Sequence, residues 1–172
     1  MNISLPSCRL RPLVATDAPS IARFANNRKV WRNLRNSFPQ PYSLADAEEF
    51  IERINDQPGP PVLGIEVDDQ VVGTVGVRLK EYIETGTAEL GYWLGEEYWG
   101  RGIATEATRA LIPYALEKFQ LRRIDAWVYD WNPASARVLE KCQFTLEGIA
   151  RRSAIKDGQI ADRMLYAYLP AE

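Results

Sequence analysis

The stretch WLGEEYWGRGIATEATRAL, from Trp93 to Leu111, sets Gly95, Gly100 and Gly102 among bulky aromatics and then turns helical. Glycine disfavours helix, so a pair of glycines at a helix mouth marks a tight turn or the close approach of something to the backbone. The first turn of a helix carries N–H groups without partners, and the macrodipole adds roughly half a positive charge there. Gly100 and Gly102 would let an oxyanion touch that backbone with no Cβ in the way. Chain reversal alone would account for the same residues, and the local pattern leaves both readings open.

Upstream of this turn the pattern has a period of two. VLGIEV, a DDQ turn and VVGTVGVRL predict a hairpin of β-branched strands, and TAELGYWL continues the meander after a turn at Glu84 to Gly86. Alternation puts Glu89, Gly91 and Trp93 on one face and Ala88, Leu90, Tyr92 and Leu94 on the other. Downstream, a helix is expected from Ile103 to Phe119, with Ala104, Ala107, Leu111, Ala115 and Phe119 buried and Glu106, Arg109 and Glu117 exposed. Pro113 should kink that helix or mark a break in it. RIDAWVYD (123–130) is apolar on both faces, as a strand in mid-sheet should be. WNPASARVLEKC then reads as a short helix capped by Asn132 with Pro133 at its first position. Two last strands, Phe144 to Arg152 and Ile160 to Leu169, are joined by the turn at Lys156-Asp157-Gly158.

The beginning of the chain is more helical. A short strand at Arg9 to Arg11 precedes a helix opened by Thr16 or Asp17, with Ile21, Phe24 and Ala25 on its buried face. A second helical stretch starts near Arg28 and is broken in FPQPYS by Pro39 and Pro41. Ser43 opens a third helix, with Ala47, Phe50, Ile51 and Ile54 on one side, and QPGPP (57–61) ends it. The order is that of an α+β chain with a single mixed, mostly antiparallel sheet flanked by helices, expected to form one domain over residues 1–172.

Composition narrows the chemistry. The net charge of −2 argues against a nucleic-acid partner held by phosphate contacts, and no apolar run approaches the ~20 residues of a membrane span. Cys8 and Cys142 stand far apart, with neither a CxxC pair nor a leader at the start, so a cytoplasmic setting with reduced thiols is expected. The chain has no histidine, which removes Ser-His-Asp and Cys-His hydrolysis and HExxH chemistry, and no metal site is expected. A dinucleotide fingerprint is excluded as well. Gly100 and Gly102 supply its first two glycines and Asp125 sits near its acidic position, but Thr105 replaces the third glycine and the motif follows an antiparallel meander.

The run AELGYWLGEEYWGRGIATEA, followed by NPASARVLEKCQF, resembles the GNAT acetyltransferase superfamily over essentially the whole chain. RLRP near the start, FPQPYS and the ELGYW strand are most similar to its ribosomal-protein N-terminal acetyltransferase (RimJ/RimL-type) branch. The resemblance implies the GNAT fold and binding of acetyl-CoA, with the backbone of Gly100, Arg101, Gly102, Ile103, Ala104 and Thr105 cradling the pyrophosphate. Trp99 stands where the superfamily consensus has Gln or Arg, and Gln143 where it has Gly. The pantetheine arm would lie along Trp93 and Leu94 as an added strand, and a backbone N–H near Leu94 would polarise the thioester carbonyl. Asn132 is expected both to cap its helix and to touch the donor. A homodimer is implied by the family alone.

Acetyl transfer needs a neutral amine and a proton donor for the leaving thiolate. Deprotonating a lysine amine at pH 7 costs about 4.6 kcal/mol, against about 1.1 kcal/mol for an α-amine. Without histidine the base must be a carboxylate, directly or through water, and the resemblance points to Glu89; an ion-paired strand residue is its plain alternative. The tyrosine that many members use as acid is Leu139 here, while the Asn-x-x-Ser of the branch falls on Asn132 and Ser135, making Ser135 the expected thiol partner. Cys142 is expected to pack rather than react, so transfer should be direct. The acceptor implied is a protein N-terminal α-amine, in a groove of the early helices, the FPQPYS loop and the last hairpin. A small-molecule amine is the alternative acceptor, and a non-catalytic acyl-CoA-binding module the alternative of another class.

Overall fold

The structure is a computed structural model that describes residues 2–56 and 59–171. The strands are β1 (Ile3–Ser4), β2 (Arg9–Pro12), β3 (Val62–Val67), β4 (Gln70–Leu79), β5 (Thr87–Leu94), β6 (Arg123–Tyr129), β7 (Thr145–Lys156) and β8 (Gln159–Tyr168). The helices are α1 (Ala18–Ala25), α2 (Arg28–Trp31), α3 (Leu44–Asp56), α4 (Ile103–Phe119) and α5 (Pro133–Lys141). All strands join one sheet in the order β1-β2-β3-β4-β5-β6-β8-β7, antiparallel except where β5 meets β6. That is the α+β arrangement expected. Among the described residues no helix is long and apolar enough to cross a membrane.

Local signals act as they should in most places. Ser43 and Asp46 cap α3 reciprocally: the Ser43 hydroxyl accepts from the Asp46 N–H and the Asp46 carboxylate accepts from the Ser43 N–H. Asn132 accepts the Ser135 N–H at 3.2 Å and opens α5. The β3–β4 hairpin turns through Asp68 and Asp69, both at positive φ, the geometry of a tight two-residue turn. Helix α3 ends at Asp56; Gln57 and Pro58 of the expected QPGPP stop lie outside the described residues.

Elsewhere tertiary context overrides the pattern. The two-residue β1 is too short to leave a periodic signal, and β7 runs on to Lys156 because β8 pairs with it almost to the turn. Asp17 does not cap α1 with its side chain; the carboxylate turns back to take two hydrogen bonds from Arg11 and one from the Val14 N–H. Helix α4 runs unbroken through Pro113, which sits on its exposed side where water can serve the one carbonyl left without a donor. On the same helix Ala104 and Phe119 are only half-buried, whereas Ile103, Thr108 and Ile112 are buried, and Glu106 is half-covered because Ser7 bonds its carboxylate.

Candidate active site

β5 and β6 pair only over Thr87, Ala88 and Glu89, and from Leu90 onward the two strands part. The orientation of the freed edge follows from the antiparallel ladder on the other side. Lys80 N–H donates to Thr87 C=O and Gly95 N–H donates to Val72 C=O, so odd-numbered residues of β5 spend their backbone groups on β4. The backbone groups of Leu90, Tyr92 and Leu94 therefore face the gap. One of these is already taken, since the Trp99 indole N–H donates to Leu94 C=O at 2.7 Å. The Leu94 N–H belongs to the preceding peptide unit and stays directed into the opening.

The glycine turn closes one end of this gap. Gly100 and Gly102 adopt φ of +75° and +82°, which side chains disfavour, and a Cβ built on either would meet nothing within 4 Å. The first hydrogen bond of α4 runs from Glu106 N–H to Gly102 C=O. The N–H groups of Ile103, Ala104 and Thr105 thus precede any intrahelical partner, at the positive end of a helix of 17 residues. An open backbone surface, orphan donors and a helix N-terminus together fit a pyrophosphate.

A cavity of about 1100 Å³ runs from this turn through the strand gap and out under the early helices. It brings together Glu89, Trp93, Leu94, Gly100, Gly102, Ile103, Ala104, Thr105, Asn132 and Ser135. Arg101 is the exception among the expected contacts: it does not line the cavity, and its guanidinium lies 5.1 Å over the Tyr98 ring. Toward the early helices the walls come from Asn33, Leu34, Arg35, Ser37, Phe38 and Pro39 and from α3, and among the described residues the last hairpin contributes only Arg163 of β8 to the cavity.

Two features of the cavity are not legible in the sequence. The Tyr92 hydroxyl lies 2.7 Å from Ser135 Oγ, on the face of β5 that meets α5. Burial pushes the Tyr92 hydroxyl well above the ordinary tyrosine range, and its hydrogen bond to Ser135 offsets only part of that. Tyr92 therefore stays protonated and can donate to Ser135, leaving the serine's own proton free to point elsewhere.

The second feature is the surroundings of Glu89. Its carboxylate accepts from Arg35 and, at 2.7 Å, from Arg78, its cross-strand neighbour. Burial would raise the Glu89 carboxyl, but the two arginines outweigh it and hold the group below its ordinary value. Such a carboxylate is fully ionised at neutral pH and a weak base. Cys142 is buried at the end of α5, where burial raises its thiol above the ordinary value and Arg109 only partly opposes this; its S–H reaches Thr105 C=O at 3.4 Å. It is packed and protonated, unlike a nucleophile.

The model of the acetyltransferase (GNAT) domain family matches residues 8–145. A probable N-acetyltransferase of Bacillus subtilis, YjcK, is 32% identical over 167 residues, covering 93% of this chain and 92% of the relative. The ribosomal-protein-serine acetyltransferase of Escherichia coli is 33% identical over 100 residues, which is 58% of this chain and 55% of that protein. Among solved structures, a probable acetyltransferase superposes with a TM-score of 0.85 at 26% identity, covering 98% of this chain and 97% of the other.

Proposed function

The chain belongs to the GNAT acetyltransferase family and is an N-acetyltransferase, and from that premise we propose that it transfers acetyl from acetyl-CoA directly to a protein N-terminal α-amine. The reading takes residues 1–172 as one acetyltransferase domain. The observation that carries it is the weak basicity of the site. Glu89 is held low by Arg35 and Arg78, and the chain has no histidine. Freeing a lysine-type amine at pH 7 costs about 4.6 kcal/mol, which this carboxylate is poorly suited to offset; an α-amine costs only about 1.1 kcal/mol. The likeness to a ribosomal-protein-serine acetyltransferase points the same way.

Acetyl-CoA supplies the activated acyl group; the residues supply its orientation and the proton path. The N–H groups of Ile103 to Thr105, with Gly100 and Gly102, hold the pyrophosphate, and Asn132 fixes the α5 end beside it. Trp93 lines the gap, and the free edge of β5 at Tyr92 and Leu94 holds the pantetheine arm. The Leu94 N–H receives the carbonyl oxygen as charge builds on it. The amine nitrogen attacks the carbonyl carbon, the C–S bond breaks, and Ser135, backed by Tyr92, gives the thiolate its proton. Glu89 lies five residues back along β5, about 17 Å from Leu94, which is too far for one bridging water. The amine's proton therefore passes to water in the cavity, which suffices for an α-amine that is partly neutral at pH 7. No acyl group rests on the protein, so kinetics are sequential.

A panel of N-terminal peptides, polyamines and free amino acids, scored by release of the CoA thiol, tests the acceptor. Peptides should turn over and polyamines should not. Turnover with polyamines or amino acids and none with peptides would overturn the α-amine reading.

A further inference from the structure

On one face of the sheet, three cross-strand pairs lie in succession: Thr74 with Trp93, Gly76 with Gly91, and Arg78 with Glu89. The middle pair has no side chains of its own: the Gly91 half is open, where a Cβ would meet nothing within 4 Å, while the buried Gly76 half is bordered by Val62 of β3, 3.1 Å from a built Cβ. All six residues line the cavity. The result is a trough with a glycine floor. One end is walled by Trp93 with Phe38 against its edge, next to the Leu94 N–H. The other end is the cluster of Arg35, Glu89 and Arg78.

That far end carries excess positive charge. Glu89 Oε1 is taken by Arg35 and Oε2 by Arg78, and the Glu89 side chain is covered while both arginine side chains stay about two-thirds exposed (61% and 65%). Among the described residues neither arginine has another hydrogen-bond partner. Two guanidiniums around one carboxylate leave a net charge of +1 and several N–H donors facing the trough. Arg53, stacked on Phe50 in the opposite wall, has no carboxylate partner among the described residues. Arg35, Arg53 and Arg78 share this part of the wall with Asp46, Glu49 and Glu89, so the positive charge is local to the two arginines around the one covered carboxylate.

Resting on the α-amine reading above, we propose that this trough selects protein N-termini carrying an acidic side chain a few residues in, with Arg35 and Arg78 as the seat for that carboxylate. Distance sets which residue it is. The reacting amine lies near Leu94, and Glu89 lies five residues back along β5, about 17 Å at ~3.4 Å per residue. A free amino acid keeps its carboxylate within about 4 Å of its amine and cannot span the trough. An extended peptide advances about 3.3–3.6 Å per residue, so with the arginines reaching inward the acidic residue falls at about the third to fifth position. The glycine floor admits its backbone, and the net charge beside Glu89 disfavours a polycation.

The test is a set of hexapeptides with one Glu moved through positions two to six, each paired with its Gln counterpart, assayed by CoA thiol release with the full chain. Glu at positions three to five should raise kcat/KM about tenfold or more over Gln, the worth of a charge-assisted hydrogen bond. Arg35→Gln and Arg78→Gln should each collapse that Glu-to-Gln ratio. Peptides acetylated with no preference for Glu would overturn the proposal and leave the α-amine reading standing. A ratio unchanged in both variants, with both peptides slowed alike, would also overturn it, since the arginines would then only support the fold. Peptides inert where small amines react would overturn both readings.

Discussion

Gly102→Ala separates the two jobs a glycine can have at a helix mouth. Gly102 sits at φ +82° with nothing within 4 Å of a built Cβ, so the methyl group meets no protein atom. The remaining cost to folding is conformational, about 1–2 kcal/mol for a residue held left-handed. At ~2–4 °C per kcal/mol for a chain this size, Tm should fall by roughly 2–8 °C. The cost to CoA binding is separate, because the methyl stands where a phosphate oxygen would approach the N–H groups of Ile103 to Thr105. Losing one charge-assisted hydrogen bond is worth about 1.5–3 kcal/mol, or on the order of 10- to 100-fold in Kd. Thermal unfolding with and without CoA reads both. At CoA a hundredfold above the wild-type Kd, ligand should add about 2.7 kcal/mol to the wild type. A thirtyfold weaker variant should gain only about 0.9 kcal/mol under the same conditions. Gly158→Ala is the control: it has φ +73° and open space around it, but lies at the β7–β8 turn outside the cavity. It should lose similar intrinsic stability and keep the full CoA-induced shift. If CoA protects Gly102→Ala as strongly as the wild type, the cradle is refuted and the glycine serves only the turn.

Ser135→Ala should lower kcat about 10- to 100-fold with acetyl-CoA and much less with acyl donors whose leaving thiols are more acidic. Tyr92→Phe should show the same dependence on the leaving thiol, and the double variant should be no slower than Ser135→Ala alone; additive losses would dissolve the pair. Glu89→Gln should lower kcat/KM by less than about tenfold and leave the limb of the pH–rate profile set by the acceptor amine in place; a loss of about 100-fold or a displaced limb would put Glu89 in the proton path after all. Asp17 is a test of the fold rather than the chemistry. Burial would raise its carboxyl, but Arg11 and the Val14 N–H hold it below the ordinary value. Its stabilisation is therefore present above the unfolded carboxylate pKa of about 3.9 and lost as pH falls through the lower folded value. Asp17→Asn should cost about 1.5–3 kcal/mol by weakening the charge-assisted hydrogen bonds from Arg11, which keeps its pairing with Glu66, read as a lower denaturation midpoint, and should flatten that acid limb.

How far the sequence can be read depends on how far apart the cooperating residues are. The glycine turn, the Asn132 cap and the alternation along β5 are each decided within a few residues. They are local conformational preferences, and the chain obeys them. The same holds for the order of elements and hence for the α+β architecture. The features that pattern does not reach are set by sheet register and by long closures: Tyr92 meets Ser135 across 43 residues, Arg35 meets Glu89 across 54, and Ser7 reaches Glu106 across 99. Pattern alone has no access to such pairs, because a shift of one residue in any strand would turn Tyr92 or Glu89 to the opposite face.

The division has a chemical consequence. The proposed donor end of the cavity draws its backbone groups from the run Trp93 to Thr105, with β6 and α5 supplying the rest of its wall. Its chemistry, backbone donors for an anion and a thioester, is common to any acceptor. The acceptor end draws Arg35 from a loop, Arg53 from α3, Arg78 from β4 and Glu89 from β5, and only the folded sheet makes them neighbours. Glu89 shows how much that assembly changes. Taken alone it is a carboxylate on the right strand and a fair candidate for a base. Between two arginines it becomes a poor base, and its cluster becomes a positively charged end wall. On the proposed reading, the loss of basicity would restrict the acceptor to amines that are easily freed of their proton. The gain of charge would restrict which side chains can lie behind that amine along the trough. Both restrictions arise from the same ion pairs, so breaking either arginine's contact should relax amine selectivity and side-chain selectivity together.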